Sequence, residues 1–477
     1  MAKNILLIFS SLMFIFAEEI WGGEITPLET TTESEKVKPL QKAFPSPREA
    51  IKAKQPESRK PRQNSKAKFD SGAPPKTRNM LTPELGFGAR IGLKYEMERN
   101  FNLDNGVRDN VYKKTPELSF VFLYMPSEKF STFLNIQFSR KFVNDEHIRM
   151  KKKKKKKDET NLELKQFFLS YKIIDGLNLK VGRQRVLDKR EWVYDEEMNA
   201  VRLTYDFSKF ALELSASEKK DKDLYDSNGR DDKFKNYVFY GRYSPIKDIK
   251  IAVYGFVRDG YSRNRKKNPI FYGLQSSGEV LDGLNYWLEL AHVRGRSKNK
   301  KLRGFGFDLG STYEFEVPLK PSIVLGYAFG SGDDNPSDKV DRNFRQTGLQ
   351  DNNAYFNGVT KIKSYGEMLD PELSNLEIVT AGIGIEPMRR ASVELIYHYY
   401  RQPKLSKKNF DAQIDEDPDG LHKMIGQEID LVAAYKYKGK KTKIKPSLVL
   451  GYFMPGQAFP DNADNSLFAE IKIQFDF

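Results

Sequence analysis

The sequence predicts an all-β fold: a transmembrane antiparallel β-barrel of about 18 strands, preceded by a signal peptide and a disordered, basic, Pro-rich segment. Three observations carry this. Apolar and polar residues alternate in segment after segment. The connections between segments alternate short and long. No stretch beyond the N-terminal leader approaches the ~20 continuous apolar residues of a membrane helix.

Composition narrows the class. The 477-residue chain has a formal net charge of +15, 30% charged and 13% aromatic residues, and no cysteine. Its mean hydropathy is −0.63. Disulfides, thiolate metal sites and a lipid-anchored N-terminal Cys are therefore excluded. Many rings without long apolar runs are unusual for a compact globule, and the positive charge suits an anionic partner.

Taken in order, residues 1–17 read as a secretory signal. Lys3 precedes an apolar run from Ile5 to Phe16, and Ala17 stands before two glutamates. Residues 18–83 hold nine prolines and much Lys and Glu. Such a segment cannot bury enough apolar surface to offset its ordering entropy, so a disordered periplasmic tether is expected.

The barrel is expected over 84–477. ELGFGARIGLKYE sets Leu85, Phe87, Ala89, Ile91, Leu93 and Tyr95 against glycines, Arg90 and Lys94. SLFAEIKIQFDF sets Leu467, Ala469, Ile471, Ile473, Phe475 and Phe477 against Glu470, Lys472, Gln474 and Asp476. Such segments begin near 84, 116, 131, 161, 177, 199, 209, 235, 248, 268, 283, 303, 321, 374, 390, 427, 443 and 465. From the second onward every other connection is short (PSEK, IDG, DFSK, SPIKD, VPLKP, EPMRR, KGKK), with a middling turn expected at 275–282. The intervening connections, such as 142–160, 218–234, 330–373 and 401–426, are long and polar. A soluble sandwich has no reason to sort its turns this way; an outer-membrane barrel does, with turns in the periplasm and loops outside. Closure of the sheet removes the unpaired edges a bilayer cannot tolerate.

A barrel of this size encloses water. On parity, Arg90, Lys94, Lys180, Arg202 and Arg242 are candidates for its inner wall, where cations favour anions and interspersed carboxylates prevent tight trapping. The stretch GRQRVLDKREWVYDEEMNAVRL (182–203) crowds both charge signs between two strand-like runs, at an outward connection over 187–198. It resembles a motif of the alginate-export family of outer-membrane barrels. AFGSGDDNPSDKVDRNFRQTGLQDNNAYFNGV, GEMLDPELSNLEIVTAGI and DEDPDGLHKMIGQEIDL resemble the same family in the same order. The resemblance implies an anion-selective porin for an acidic exopolysaccharide, with Arg185 and Asp195 lining a constriction and Arg190, Glu191 and Arg202 as further members; Arg183, two residues before Arg185, is added as a candidate from its place on the strand. Guanidinium forks can bind uronate carboxylates while neighbouring acids keep each contact weak. The alternative reading is a general or small-anion/oligosaccharide uptake porin.

Strict alternation places Arg183 and Arg185 on the parity of lipid-facing Val181. Since a guanidinium at the bilayer midplane costs ~2–4 kcal/mol, either they sit at the rim or a bulge near Gly182 turns them inward. The bulge, with both guanidiniums in the lumen, is the expectation.

An enzyme is not expected. Glu394 and His398 share a strand face, but the chain has four histidines, no Ser-centred elbow and no HExxH. GSGDDNPSDKVD lacks EF-hand spacing, so no metal or cofactor is called for. Expected partners are an anionic polysaccharide or small anions, outer-membrane lipid and lipopolysaccharide, and periplasmic export machinery. Nucleic acid is excluded and a monomer is expected. The KKKKKKKDE run at 151–159 reads as a solvated loop.

Overall fold

The computed structural model describes residues 79–104, 106, 109–146, 158–220, 233–246, 248–261, 267–297, 299–408, 412–439 and 442–477. All lie in the second of two compact units, Gln63–Phe477. The expected signal peptide, nearly all of the 18–83 segment and the Lys151–Lys157 run lie outside the described residues.

Eighteen long strands occur among the described residues. They are β1 (Leu85–Arg99), β2 (Val111–Tyr124), β3 (Phe130–Asp145), β4 (Glu159–Ile174), β5 (Leu177–Leu187) and β6 (Asp195–Phe207). Next come β7 (Phe210–Lys220), β8 (Lys233–Tyr243), β9 (Ile249–Tyr261), β10 (Lys267–Leu281), β11 (Leu284–Ser297) and β12 (Lys300–Glu314). The last six are β13 (Ser322–Gly330), β14 (Leu376–Ile385), β15 (Ala391–Arg401), β16 (Met424–Tyr435), β17 (Lys443–Pro455) and β18 (Ser466–Asp476). Each pairs antiparallel with its sequence neighbours, and β1 pairs with β18 from Arg90↔Asp476 to Arg99↔Leu467. The sheet is a closed barrel, as the alternation predicted.

Side-chain parity follows the pleat. Leu212, Phe239, Ile270, Leu325 and Ile383 stand exposed on the outer face, which in a bilayer is the apolar face a barrel needs. Inward positions hold polar residues, including Lys180, Arg202, Glu213, Gln275, Glu289, Asp308, Thr380 and Asp430. The connection expected at 275–282 is shorter than anticipated. β10 runs on to Leu281, and Asp282–Gly283 makes the turn with a register shift at Glu279/Leu281. Gly283 has φ 81°, and an added Cβ would lie 2.6 Å from the Glu314 carbonyl oxygen, so glycine closes this bulged hairpin.

The loop end differs from the turn end in more than length. Connection 188–194 and the later part of 331–375 fold into the barrel, while Val340–Asp341 stays at the loop end, paired parallel with Lys301–Leu302 of β12. Trp192, Phe344, Leu349, Phe356, Tyr365, Met368, Leu369 and Leu373 join one buried cluster with the inward wall residues Phe256, Trp287, Ile396, Tyr400 and Phe453. Apolar side chains spaced through an otherwise polar connection bury themselves in the only dry volume within reach.

Candidate pore constriction

The 188–194 connection owes its shape to Asp188. Its carboxylate accepts backbone N–H groups of Arg190 (3.3 Å), Trp192 (3.2 Å), Val193 (2.9 Å) and Tyr194 (2.9 Å). Burial pushes the Asp188 carboxyl up while those four donors pull it down, with burial dominant. The turn holds Glu191 at φ 54°, a left-handed conformation costly for a residue with a Cβ. It projects Arg190 across the interior. Arg190 Nη2 donates to Asp308 on β12 at 2.9 Å, and its guanidinium lies 4.3 Å from the Trp287 ring centroid on β11. Asp308 also accepts Trp287 Nε1 (2.7 Å) and the Tyr365 hydroxyl (3.2 Å), while Trp192 Nε1 donates to Tyr365 at 2.7 Å.

The long connection is laced to the short one. Asp351 N and Asn352 N each donate to the Glu191 carbonyl at 3.0 Å, and Asp195 N donates to the Leu349 carbonyl at 2.6 Å. Gln346 Nε2 donates to the Trp192 carbonyl at 3.0 Å, and Thr347 Oγ1 to that of Val193. Deeper in the lumen, wall carboxylates hold its backbone. Glu428 accepts Met368 N (2.6 Å), Leu369 N (3.0 Å) and the Tyr400 hydroxyl (2.9 Å). Asp430 accepts Glu367 N at 3.2 Å, and Glu394 accepts Asn357 N (3.2 Å) and Gly358 N (3.0 Å). Glu394 is the fourth residue of β15 counted from its turn end, so the connection runs nearly the depth of the barrel.

The candidate residues separate into four settings. Arg90 and Lys94 face the lumen. Arg90 Nε pairs with Asp476 at 2.8 Å, and Lys94 Nζ with Glu96 at 3.1 Å. With Lys445, Glu117, Glu470 and Lys472 on β17, β2 and β18 they form a charged stretch of inner wall that stays partly accessible, while other inward positions of these strands, such as Glu98, Phe453 and Ser466, are buried. Lys180 and Arg202 also point inward but are buried. Lys180 lies 4.7 Å from the Phe168 ring centroid, and Arg202 forks onto Glu213 at 2.9 and 2.6 Å. Arg190 and Glu191 sit in the inward-folded turn, Glu191 paired with Lys361.

The fourth setting corrects the expectation for Arg183 and Arg185. No bulge forms at Gly182: β5–β6 register is unbroken from Leu177↔Tyr205 to Leu187↔Asp195. Gly182 is instead a close approach, φ 124°, where a Cβ would lie 2.3 Å from the Phe167 carbonyl oxygen. The parity break lies one strand earlier, where Asn135↔Gln166 is followed by Ile136↔Leu164 and Lys165 is the extra residue. Arg183 and Arg185 therefore keep Val181's outward parity, and the rim is what accommodates them. Val181, Val201, Ala216, Tyr237 and Val257 form one outward register row, and Arg183, Asn199, Glu218, Lys235 and Asp259 form the next. The outer face changes from apolar to polar between those rows. Arg183 Nε donates to the Leu164 carbonyl at 2.7 Å, and Arg185 forks onto Asp195 at the strand end, with Glu191 at 3.8 Å.

Glu394 and His398 form no exposed site. His398 is fully buried, its Nδ1 2.9 Å from Thr380 Oγ1 and its Nε2 3.4 Å from Asp430. Sequence reasoning missed Asp188, Asp308, Glu428 and Asp430, which position the two connections. The signal available was Trp192, Phe356, Tyr365, Met368 and Leu373, which a solvated loop has no use for.

Comparison with known proteins agrees with this architecture. The family model described as alginate export matches residues 83–469. Alginate production protein AlgE of Pseudomonas syringae pv. tomato is 22% identical over 370 residues, 63% of this chain and 72% of that protein. Its namesake in Azotobacter vinelandii is 26% identical over 162 residues, 30% of this chain and 34% of the other. Among solved structures, Pseudomonas aeruginosa OccK8 (OprE) aligns with TM-score 0.54 and 13% identity over 84% of this chain and 99% of its own. Acinetobacter baumannii OccAB2 aligns with TM-score 0.54 and 12% identity over 82% and 98%. With its closed eighteen-strand wall and a family match spanning nearly all of that wall, the chain belongs to the alginate export family and is an outer-membrane transport barrel rather than an enzyme.

Proposed function

We propose that the barrel conducts an acidic exopolysaccharide, an alginate-like polyuronate, through an anion-selective passage. The observation that carries this reading is a partly accessible charged stretch on the inner face of β17, β18, β1 and β2. There Arg90, Lys94, Lys445 and Lys472 alternate with Glu96, Glu117, Glu470 and Asp476. Each cation can take a uronate carboxylate, and each has an acid at hand that competes for it, so a polymer is attracted without being trapped. The inward-folded connections narrow the other side of the lumen, and Arg190, Glu191, Arg185 and Asp195 hold them at the mouth. Secretion through a signal peptide and passive transport complete the reading.

Planar-bilayer recording of the full chain tests it, with a KCl gradient and alginate on either side. The expected result is an anion-selective reversal potential and alginate block weakened at least several-fold by Arg90→Ala with Lys94→Ala. Unselective current indifferent to alginate and to both substitutions would overturn it. A second reading, uptake of small anions or oligosaccharides, is favoured by how much of the lumen the 331–375 connection fills. Under it, small anions pass and alginate gives no block.

A further inference from the structure

On the outer face at the loop end of the β11–β12 hairpin, four cations stand side by side. Register puts Arg294 opposite Arg303 and Arg296 opposite Lys301, and all four are exposed. Their outward direction is fixed by their neighbours. Val293 and Leu302 are buried inward, and Leu290 and Phe305 on the cations' own parity are exposed. Among the described residues no carboxylate pairs with any of the four, whereas Lys300 on the opposite parity lies 3.9 Å from Asp333 and donates to the Pro336 carbonyl at 2.6 Å. The row through Arg183 and Lys235 includes Glu218 and Asp259. The β11–β12 patch has one sign only. Like charges directly opposite on a sheet destabilise it, so the arrangement calls for an anion between the strands.

What lies directly below identifies the anion's carrier. The next register row is Tyr272, His292 and Phe305, with Tyr272 stacked on His292 at 5.2 Å and Phe305 tilted against Phe329 at 5.5 Å. Rings at this level are the aromatic girdle at which a barrel meets headgroups. We infer that Arg294, Arg296, Lys301 and Arg303 form a binding site for the phosphate groups of an outer-leaflet phosphorylated glycolipid, its acyl chains lying along the aromatic row. A polymer in transit runs inside the wall; this patch faces the membrane.

The test uses the full-length chain, freed of glycolipid in detergent, with its unfolding midpoint followed by heat-modifiable gel mobility. Lipopolysaccharide bearing both lipid A phosphates is expected to raise the midpoint. Dephosphorylated lipopolysaccharide, inorganic phosphate and an alginate oligomer are expected not to. Arg294→Gln with Arg303→Gln should weaken the lipopolysaccharide effect about tenfold or more, since two charge-assisted contacts are lost. Lys235→Gln, in the mixed-sign row, should leave it unchanged. The site is overturned if dephosphorylated glycolipid protects equally, if the paired substitution binds as the parent does, or if free phosphate or the oligomer protects in its place. Should the paired variant not fold, the phosphorylated and dephosphorylated arms on the unaltered chain still decide.

Discussion

Arg202 and Glu213 face each other across β6 and β7, both about 1% exposed, joined by two bonds. A buried pair of this kind is a poor source of net stability, because desolvation offsets attraction, but half of it is worse than none. Arg202→Ala should therefore destabilise the barrel by ~3–5 kcal/mol, and Arg202→Met with Glu213→Leu should restore most of that. Urea unfolding followed by tryptophan fluorescence checks both, and a single variant as stable as the parent would refute the pairing. Three residues of the inward-folded connections contribute to the pH response. Lys189 sits in the lumen, where desolvation first and then Lys250 and Arg190 lower its pKa to about 8. Desolvation and then Arg185 lower Lys361 to about 8, and burial raises Glu367 to about 8 against the pull of Lys363. Between pH 7 and 9 Lys189 and Lys361 lose positive charge and Glu367 gains a negative one, so all three changes reduce anion preference. Reversal potentials should drift toward cations over that range, by less with Lys189→Arg, and by less again once Lys361→Arg and Glu367→Gln are added.

The element that most shapes the passage is the 331–375 connection, and carboxylates on β15 and β16 fasten it. Removing the Glu428 carboxylate strands the N–H groups of Met368 and Leu369 and the Tyr400 hydroxyl in a dry interior, at ~1–3 kcal/mol for each unsatisfied group. Glu428→Ala should free the connection while the wall stays closed. Single-channel conductance should rise and become noisier, with strand content by circular dichroism unchanged. Unaltered conductance would mean that the connection does not limit flow. Sequence could not settle this element. Period-two alternation declares a strand and its outward face, whereas a connection's destination depends on wall residues far along the chain, and Glu428 is 60 residues from Met368.

Over the whole molecule the barrel was legible because one physical requirement repeats in every strand: apolar toward lipid, polar toward water, every backbone group paired. Even the starts of the segments follow from it, and so did Arg90, Lys94, Lys180 and Arg202 on the inner face. Arg183 was misjudged because parity tells which face a residue takes but not how far along the strand the apolar band ends. That boundary emerges only when neighbouring strands are placed in register, as the row from Arg183 to Asp259 shows. The extra residue at Lys165 is invisible for the same reason.

The pairing of β1 with β18 has a consequence for assembly. Arg90 and Asp476 are 386 positions apart, yet their bond lies in the seam. Bringing such distant ends together is the entropically slowest contact a chain can make, and the other seventeen strand pairings can form before it. Until the final strand arrives, β1 and β17 each present a bare edge that no bilayer can hold. Insertion is thus all-or-nothing: a chain stalled short of its last strand is not a smaller pore but an open sheet, for chaperones and proteases to find.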